Sequence, residues 1–365
     1  MALELLSRRL ATTIANYIYG AVDAMSRRRK VLSVLKKLGK ITYGHGGDPS
    51  AAWDVEYRQA ELLPYSGSFT FAAVDRWKQA QLPWGGYAAT DMISERERLV
   101  NSGKQALVKV YDKMGTRIKN DITQQFPSRI LRSDGNASGH ELEISGFETC
   151  FGISGQAVAA DCPVGVNNDV YAGLSTAPNA YGGAWEDDGA GNEIWPLGIG
   201  PTVSDFWRPL VVLWDSTKFS GATQTWKANA EEAIRFGIHH SRRNDTMDGD
   251  LSMVLLWRDG FRQFKDVQQL KQRINVMANS PLYEVGFRDM FNYDGIDVTD
   301  DYDVPNEIGY GVPGGVLELM CLTDDLFRVR DDMDLASDSH RFVADMHGQL
   351  KIESLRHMVK WQPIP

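Results

Sequence analysis

The chain has 365 residues, of which 43% are hydrophobic, and its formal net charge is −9. This composition predicts a folded protein of two or three lobes and excludes a disordered chain. Three cysteines (Cys150, Cys162 and Cys321), none of them in a CxxC pair, exclude a disulfide scaffold and a zinc finger and indicate a reducing compartment.

Residues 1–40 predict a helical N-terminal arm that ends before Gly39. Apolar residues recur there at steps of three or four: Leu3, Leu6, Leu10, Ile14, Tyr17, Ala21 and Met25. Arg8 and Arg9 interrupt the apolar run, so we expect no secretory signal. A basic amphipathic helix lies either on a membrane surface or on a neighbouring subunit, and the sequence has no apolar stretch long enough for a membrane span. We favour the neighbouring subunit, with Leu6, Leu10 and Ile14 as its contacts.

The charges are unevenly distributed along the chain. Residues 1–40 carry nine Lys/Arg against two acids, and residues 284–338 carry fifteen Asp/Glu against three Arg. Segments of opposite sign can steer copies of one chain together, an interpretation that suits an acidic protein better than nucleic-acid binding. Two solvated surfaces are the simpler alternative.

Residues 41–90 predict a long extended hairpin around a Pro-Tyr-Ser-Gly turn at 64–67. Its apolar side chains alternate along the two arms: Trp53, Val55, Tyr57, Phe69, Phe71 and, closer to the end, Trp77. Isolated hairpins are marginal in water, so the apolar face needs a cover. No nearby segment supplies one, and we therefore expect another copy of the chain to contact these residues.

A single long helix is predicted over residues 94–126. Ser94 and Glu97 form a capping box at its start, and Pro127 is expected to end it. One apolar stripe runs along it: Leu107, Tyr111, Met114, Ile118, Ile122 and Phe126. At about 1.5 Å per residue the helix is about 50 Å long, which indicates a strut, although an ordinary core helix gives the same pattern.

The remainder predicts an α+β protein with two lobes. Residues 141–304 form the larger lobe, with a buried strand at 251–257, a helix at 259–277 and a hairpin at Asp294-Gly295. The strand-like runs after residue 305 are expected to return beside the long helix. Residues 91–140 and 305–365 would then form a second, discontinuous lobe.

No motif in the sequence predicts catalysis, a cofactor or a metal. The GxGxxG match at 309–314 lacks a following helix and is interpreted as a turn. His239 and His240 are adjacent and would point apart on a strand, and the aspartates of 294–303 lack the EF-hand spacing. Ten tryptophans suit either protein interfaces or sugar stacking, so a Trp-rich carbohydrate-active enzyme with paired carboxylates stays open.

Several passages resemble the major capsid proteins of tailed bacteriophages, which have the HK97-type fold. The resemblance rests on LPWGGYAATDMISERERLVNSGKQAL at 82–107, Phe-Trp-Arg within 204–210, LYEVGFRDMFNYDGIDVTDDYDVP at 282–305, and the closing ESLRHMVKWQPI. It covers the chain from about Trp53 to the C-terminus. The order of its features is that of the family: an N-terminal arm, an extended loop, a spine helix, an axial lobe and a peripheral lobe.

The resemblance implies a structural protein that assembles into the hexamers and pentamers of an icosahedral shell around double-stranded DNA. It places residues 1–40 as the arm, 41–90 as the extended loop, 94–126 as the spine helix, 141–304 as the axial lobe, and 91–140 with 305–365 as the peripheral lobe. Portal, scaffolding and decoration proteins are the implied partners, and the virion, assembled in the host cytoplasm, is the implied location. An encapsulin-like compartment shell is the alternative within the same fold.

Two further features of the family bear on this chain. Some relatives lose a long N-terminal scaffolding segment, whereas this arm is short, so a separate scaffolding protein is expected. Some relatives cross-link a lysine of the extended loop to an asparagine of another subunit. Lys78 lies in the corresponding segment and is the cross-link candidate here, although a lysine on an exposed strand commonly serves solubility alone.

Overall fold

The computed structural model describes residues 29–56, 77–100, 104–133, 135, 139–151, 170–175, 207, 209–215, 219, 223–242, 250–270, 290–334 and 339–363. Its strands are β1 (Ile41–Thr42), β2 (Ala51–Glu56), β3 (Trp77–Leu82), β4 (Gly85–Ser94), β5 (Val170–Tyr171), β6 (Leu174–Ser175), β7 (Leu210–Leu213), β8 (Met253–Leu256), β9 (Met290–Tyr293), β10 (Ile296–Asp300), β11 (Gly309–Val312), β12 (Leu317–Cys321), β13 (Arg328–Asp334), β14 (Ser339–Ile352) and β15 (Val359–Gln362). Its helices are α1 (Lys30–Lys37), α2 (Glu95–Val100), α3 (Lys104–Arg132), α4 (Phe147–Cys150), α5 (Trp226–Ser241) and α6 (Arg258–Leu270), with a 3-10 turn at Leu355–His357. The predicted α+β class is confirmed.

The larger sheet has six strands in the order β7-β15-β11-β8-β10-β9. Its strand β8 lies in the apolar run predicted at 251–257, and all four of its residues are buried. β8 pairs in parallel with β10 and antiparallel with β11. Helices α5 and α6 contact each other and this sheet. The core of the lobe therefore lies between the sheet and these two helices.

The hairpin predicted at Asp294-Gly295 is present and joins β9 to β10. Asp294 and Gly295 both have positive φ, 51° and 85°, as a tight two-residue hairpin turn requires. The side chain of Asn292 accepts a hydrogen bond from the Gly295 amide at 3.1 Å, which holds the turn closed. The local Asn-Tyr-Asp-Gly sequence is thus sufficient to specify this connection.

The smaller sheet is built around the 14-residue strand β14. On one side β14 pairs with β4 from Ser339 to Gly348, and on the other it pairs first with β13 and then with β12. The two-residue strand β1 extends the sheet beyond β12. The long helix α3 packs against β4. Strands from the end of the chain therefore do return beside the helix, as expected.

Helix α3 carries the predicted stripe but does not end where the sequence indicated. Met114, Ile118, Ile122 and Phe126 are buried, whereas the side chains of Leu107 and Tyr111 lie outside the described residues. Pro127 lies inside the helix, which continues to Arg132, so the predicted end at residue 126 is wrong. A proline in a helix interior costs about 3 kcal/mol. Burial of Ile130 and Leu131 in the next turn, at about 1.5–3 kcal/mol each, offsets that cost.

Two strands after residue 305 do not belong to the lobe predicted for them. β11 and β15 lie in the six-stranded sheet, where they pair with each other, with β8 and with β7. The predicted division at residue 304 is therefore wrong for these strands. All residues of β11 and β15 are buried, which explains their place at the centre of the larger sheet and away from its edges.

The GxGxxG match is only partly the turn that we predicted. Gly309 to Val312 form strand β11, and the turn begins after it. A side chain at Gly309 would come within 2.8 Å of Leu256, and one at Gly311 within 3.0 Å of Leu251. These glycines therefore allow neighbouring side chains to pack closely against strand β11, which is a packing role.

The described part of the N-terminal arm is helix α1. It ends at Lys37, and Gly39, the predicted helix stop, follows two residues later with a φ of 67°. Its inner face is buried in the body through Val31, Leu32, Val34 and Leu35. Leu38, which follows the helix, is exposed. The root of the arm is therefore part of the folded body.

Candidate functional site

The hairpin formed by β2 and β3 presents two different faces. The strands pair so that Ala51 lies opposite Leu82, Trp53 opposite Ala80 and Val55 opposite Lys78. This face points inward: Ala51, Val55, Ala80 and Leu82 are all buried. The other face is exposed and carries Ala52, Asp54, Gln79, Gln81 and Trp77. Trp77 is the large apolar group of this outer face, and 58% of its surface is accessible.

The inner face of the hairpin packs against the body of its own chain. The backbone amide of Gln81 donates a hydrogen bond to the backbone carbonyl of Ala172 at 2.9 Å. The ring of Trp53 lies 6.4 Å from that of Tyr171, and the Lys351 ammonium lies 5.8 Å from the Trp53 ring. The short β5–β6 pair, which contains Tyr171 and Ala172, thus covers the base of the hairpin.

The prediction that only another copy could cover the hairpin is therefore wrong for its base. Val55 is buried within one chain and Trp53 is partly buried there. Sequence reasoning missed the cover because β5 and β6 lie about 90 residues further along and have two residues each. Such short strands have no recognisable period. Of the predicted contacts, Trp77 keeps an exposed surface of the kind that a partner could bury.

The remaining predicted contact residues lie outside the described part of the chain. These are Tyr57, Phe69 and Phe71 in the hairpin and Leu6, Leu10 and Ile14 in the arm. The cross-link candidate Lys78 lies on the inner face, opposite Val55, and is half-buried. Its side chain thus starts on the face that packs on its own subunit.

A groove of about 380 Å³ lies between β4 and the long helix. Tyr87, Phe126 and Phe327 give it aromatic walls, and Asp121 and Arg129 add one charge of each sign. The ring of Phe126 meets that of Phe327 edge-on at 5.2 Å. Sequence reasoning did not find this groove. In the sequence, the alternation of Tyr87, Ala89, Asp91 and Ile93, together with the apolar stripe of the long helix, would have indicated this groove.

A polar network includes two residues that line this groove, Tyr87 and Arg129. The Tyr87 hydroxyl donates to the Glu143 carboxylate at 3.2 Å, and Arg129 and His140 contact the same carboxylate at 3.4 and 3.0 Å. Burial raises the pKa of Tyr87 to about 12, so its hydroxyl stays protonated at neutral pH. Burial opposes ionisation of Glu143, but the bonds and charges of His140 and Arg129 outweigh it and lower that pKa. The network therefore joins strand β4, the long helix and the segment at 140–143.

A buried ion pair connects α4 to the six-stranded sheet. The Lys360 ammonium lies 2.7 Å from the Glu148 carboxylate, and both side chains are at most 3% exposed. The Tyr310 hydroxyl donates to the other oxygen of Glu148. Every group of this cluster comes from a different element, and none reaches solvent. The pair therefore determines how α4 sits on the sheet and offers no access to a substrate.

Opposite charges of the arm and the acidic segment meet within one chain. We define the arm-root cluster as Arg29, Lys30, Arg132, Asp300 and Asp303. Arg29 lies 2.6 Å from the Asp303 carboxylate, Lys30 lies 3.0 Å from that of Asp300, and Arg132 donates to the Asp303 carbonyl at 2.6 Å. The prediction that these charges steer separate copies together is wrong for this part of the arm.

The described residues contain no accessible nucleophile of the thiol type. Burial raises the pKa of Cys150 well above its usual value and that of Cys321 to about 12, so both stay protonated. Across the described ranges, no group of three His, Cys, Asp or Glu side chains could hold a metal ion. His239 lies on helix α5, not on a strand. No helix in the described part of the chain is both long and apolar enough for a membrane crossing.

Most described tryptophans belong to the core. Trp207, Trp214, Trp226, Trp257 and Trp361 are all buried. The rings of Trp226 and Trp257 lie 4.6 Å apart, and Trp361 donates its indole N–H to the Ala233 carbonyl at 2.9 Å. Buried indoles cannot stack on a sugar. The abundance of tryptophan is thus explained largely by packing, which weakens the case for a carbohydrate-active enzyme.

Solved capsid structures share this fold over nearly the whole chain. The capsid protein of cyanophage A-1(L) is 13% identical, with a TM-score of 0.54 over 90% of this chain and 93% of that one. The capsid protein of a native GTA particle is 11% identical, with a TM-score of 0.52 over 92% and 91% of the two chains. The capsid protein of an empty GTA particle is 11% identical, with a TM-score of 0.51. The fold of this chain is therefore that of phage capsid proteins.

Sequence comparison alone finds no such likeness: no family model and no curated protein matches the chain.

Proposed function

We propose that this chain is the major capsid subunit of a tailed phage. Copies of it would assemble into the hexamers and pentamers of an icosahedral shell that encloses double-stranded DNA. The observation that carries the proposal is the likeness to capsid proteins over at least 90% of both chains, with TM-scores above 0.5.

The elements fit the HK97-type plan with revised boundaries. Residues 1–40 serve as the N-terminal arm and 41–90 as the extended loop. The long helix, continued to Arg132, is the spine helix. The sheet of β4, β12, β13 and β14 is the peripheral lobe, and the six-stranded sheet, including β11 and β15, is the axial lobe.

The outer face of the β2–β3 hairpin is the proposed contact with a neighbouring subunit. Trp77 is exposed there among Asp54, Gln79 and Gln81, so a large aromatic group lies within a polar surround. This is the composition of an interface anchor: aromatic residues fill the dry centre of interfaces, and polar residues form the rim. The inner face is already packed, so a neighbour would bind the outer face.

DNA would be enclosed without tight or sequence-specific binding. The chain carries 48 Asp/Glu against 39 Lys/Arg, whereas strong DNA binding needs clustered cations that neutralise phosphates. Portal and scaffolding proteins, with decoration proteins on the outside, are the expected partners of such a shell. The virion is the expected location, after assembly in the host cytoplasm.

Negative-stain micrographs of the purified protein test the proposal directly. We expect closed shells or ring-shaped capsomers, and particles that protect double-stranded DNA from nuclease after assembly in the host. Particles filled with one cargo protein and no DNA would indicate the encapsulin-like alternative. A protein that stays monomeric at all concentrations would contradict both the capsid proposal and the encapsulin-like alternative.

Two variants at position 77 test the interface. Trp77→Ala removes the proposed anchor and should abolish or strongly reduce shell assembly, because anchor residues contribute about 2 kcal/mol or more to each contact. Trp77→Phe keeps an aromatic group and should assemble. Light scattering during assembly measures both. Equal assembly of Trp77→Ala and the unchanged protein would remove the hairpin face from the interface.

The proposed cross-link at Lys78 has its own test. Mature particles run on a denaturing gel should show covalent oligomers if Lys78 reacts with an asparagine of another subunit, and Lys78→Ala should return all material to monomer. Monomer alone from unchanged particles would exclude the cross-link and leave the capsid proposal intact.

A further inference from the structure

Arg29 is the residue that precedes helix α1. The backbone of Arg29 is extended, with φ −111° and ψ 120°, and its carbonyl accepts the first helical hydrogen bond of α1 from the Ser33 amide at 2.9 Å. Its side chain caps no helical amide and pairs instead with Asp303. The rest of α1 is held separately by its buried apolar face. The Arg29 side chain is therefore a contact of the helix start that is separate from the apolar packing of α1.

We propose that the Arg29–Asp303 ion pair is an acid-sensitive tether that holds the start of α1 to the loop after β10. The pair connects the start of α1 to the loop that follows β10. Arg29 is 20% exposed and Asp303 6%, so the pair lies at the boundary of the core, where screening by water is limited. Protonation of Asp303 would remove its charge while the apolar contacts of α1 stay in place.

The charged groups around Asp303 come from four elements. Asp301 precedes it in the same loop, and its carboxylate accepts a hydrogen bond from the Asp303 amide at 3.1 Å. Arg132, at the end of the long helix, donates to the Asp303 carbonyl. Lys30 and the more distant Arg258, at 3.0 and 3.9 Å, both pair with Asp300. Asp303 thus has one nearby acid that repels its charge and two arginines that attract it.

The balance of these groups places the titration of Asp303 near neutrality. Burial raises its pKa most, the charge of Asp301 raises it further, and Arg29 and Arg132 lower it, which gives a pKa of about 6. Below that pH the carboxyl is mostly neutral and its attraction for Arg29 is reduced. Without the contact to Arg29 the pKa of Asp303 would be higher still. Formation of the Arg29–Asp303 pair and ionisation of Asp303 therefore favour each other.

Acid acts differently on the tether and on global stability. The folded state holds the Asp303 carboxyl above its ordinary pKa of 3.8. Its contribution to the free energy of unfolding is therefore greatest at low pH and is lost as pH rises through about 6. Acid thus stabilises the fold through Asp303 while it weakens the pair with Arg29. Release of the tether near pH 6 is distinct from acid unfolding.

Hydrogen exchange of the Ser33 amide measures the tether in the full-length protein, because its acceptor is the Arg29 carbonyl. With single-residue fragmentation and correction for intrinsic rates, Ser33 protection should fall by up to about tenfold between pH 7.5 and 5. The Leu38 amide, which donates to Val34 at 2.9 Å at the other end of α1, is the internal control and should not change.

Two substitutions should change the pH dependence of Ser33 protection in different ways. Asp303→Asn removes the titrating group and should leave Ser33 protection low and independent of pH. Asp301→Asn keeps the amide-accepting oxygen but removes the repelling charge, so the midpoint should move to lower pH. Constant Ser33 protection in the unchanged protein, or a midpoint raised by Asp301→Asn, would overturn the tether. If Asp303→Asn does not fold, the other two titrations still decide.

Discussion

The six-stranded lobe and the β2–β3 hairpin use tryptophan in opposite ways. In the lobe, Trp226, Trp257 and Trp361 are buried and their indoles contact other rings or donate to carbonyls of the same chain. In the hairpin, Trp53 is partly covered by its own subunit and Trp77 is mostly exposed. The described tryptophans of the lobe are therefore packed within one chain, whereas the outer face of the hairpin base stays exposed. The first arrangement contributes to the stability of the fold, and the second is the surface that we propose for a neighbour.

The largest effect on stability is expected at the buried ion pair of the lobe. Lys360→Met leaves the Glu148 carboxylate buried without its cation and should lower the free energy of unfolding by about 3–5 kcal/mol. Chemical denaturation of purified subunits measures this. The matched control is the double variant Lys360→Met, Glu148→Gln, in which a neutral amide can still accept from Tyr310 and most of the loss should be recovered. A single variant as stable as the unchanged protein would show that the pair contributes nothing.

A smaller loss is expected from Gly237→Ala on helix α5. Replacing glycine by alanine in a helix interior ordinarily stabilises by about 0.5–1 kcal/mol. Here the added methyl group would overlap the indole of Trp361, so the free energy of unfolding should instead fall by about 1–3 kcal/mol. Thermal unfolding of subunits gives the sign directly. Stabilisation would mean that the lobe core adapts and is less tightly packed than its buried tryptophans indicate.

The pH dependence of the free energy of unfolding tests the contribution of Asp345, which lies on β14 in the smaller sheet. Asp345 is buried, which opposes ionisation, but hydrogen bonds and charges from Arg328 and Arg330, at 3.0 and 3.1 Å, lower its pKa. Its stabilising contribution is thus present at neutral pH and is lost as pH falls below its ordinary pKa of 3.8. Asp345→Asn should cost about 1–2 kcal/mol at pH 7, and this cost should shrink as the pH is lowered from 4 toward 2. An equal cost at pH 7 and near pH 2 would assign the effect to packing.

The sequence was most informative where one short segment determines its own structure. The Asp294-Gly295 turn needs two positive φ angles, and the run at Met253–Leu256 needs burial on both sides, so both were predicted correctly. The stripe from Met114 to Phe126 likewise follows from helical periodicity alone. These features depend on neighbours in sequence, and the resemblance to capsid proteins rests on their order.

Prediction failed where distant segments decide the outcome. The helix continues past Pro127 because residues after it are buried against the body, a contact that local propensity does not contain. Arg29 and Lys30 pair with aspartates about 270 residues away in the same chain. The charge pattern had predicted that these cations would contact another copy. The contact between Trp53 and Tyr171 of the two-residue strand β5 could not be predicted for the same reason.

The smallest effect on subunit stability is expected at Trp77, and it sharpens the contrast with Trp361. Trp77→Ala removes an exposed side chain, so the free energy of unfolding of isolated subunits should change by no more than about 0.5 kcal/mol. Trp361→Ala, in the lobe, should cost about 3–5 kcal/mol. Denaturation of both variants under non-assembling conditions compares the two sites. A loss at Trp77 as large as that at Trp361 would mean that the outer hairpin face is packed within the subunit, and the neighbour would lose its proposed anchor.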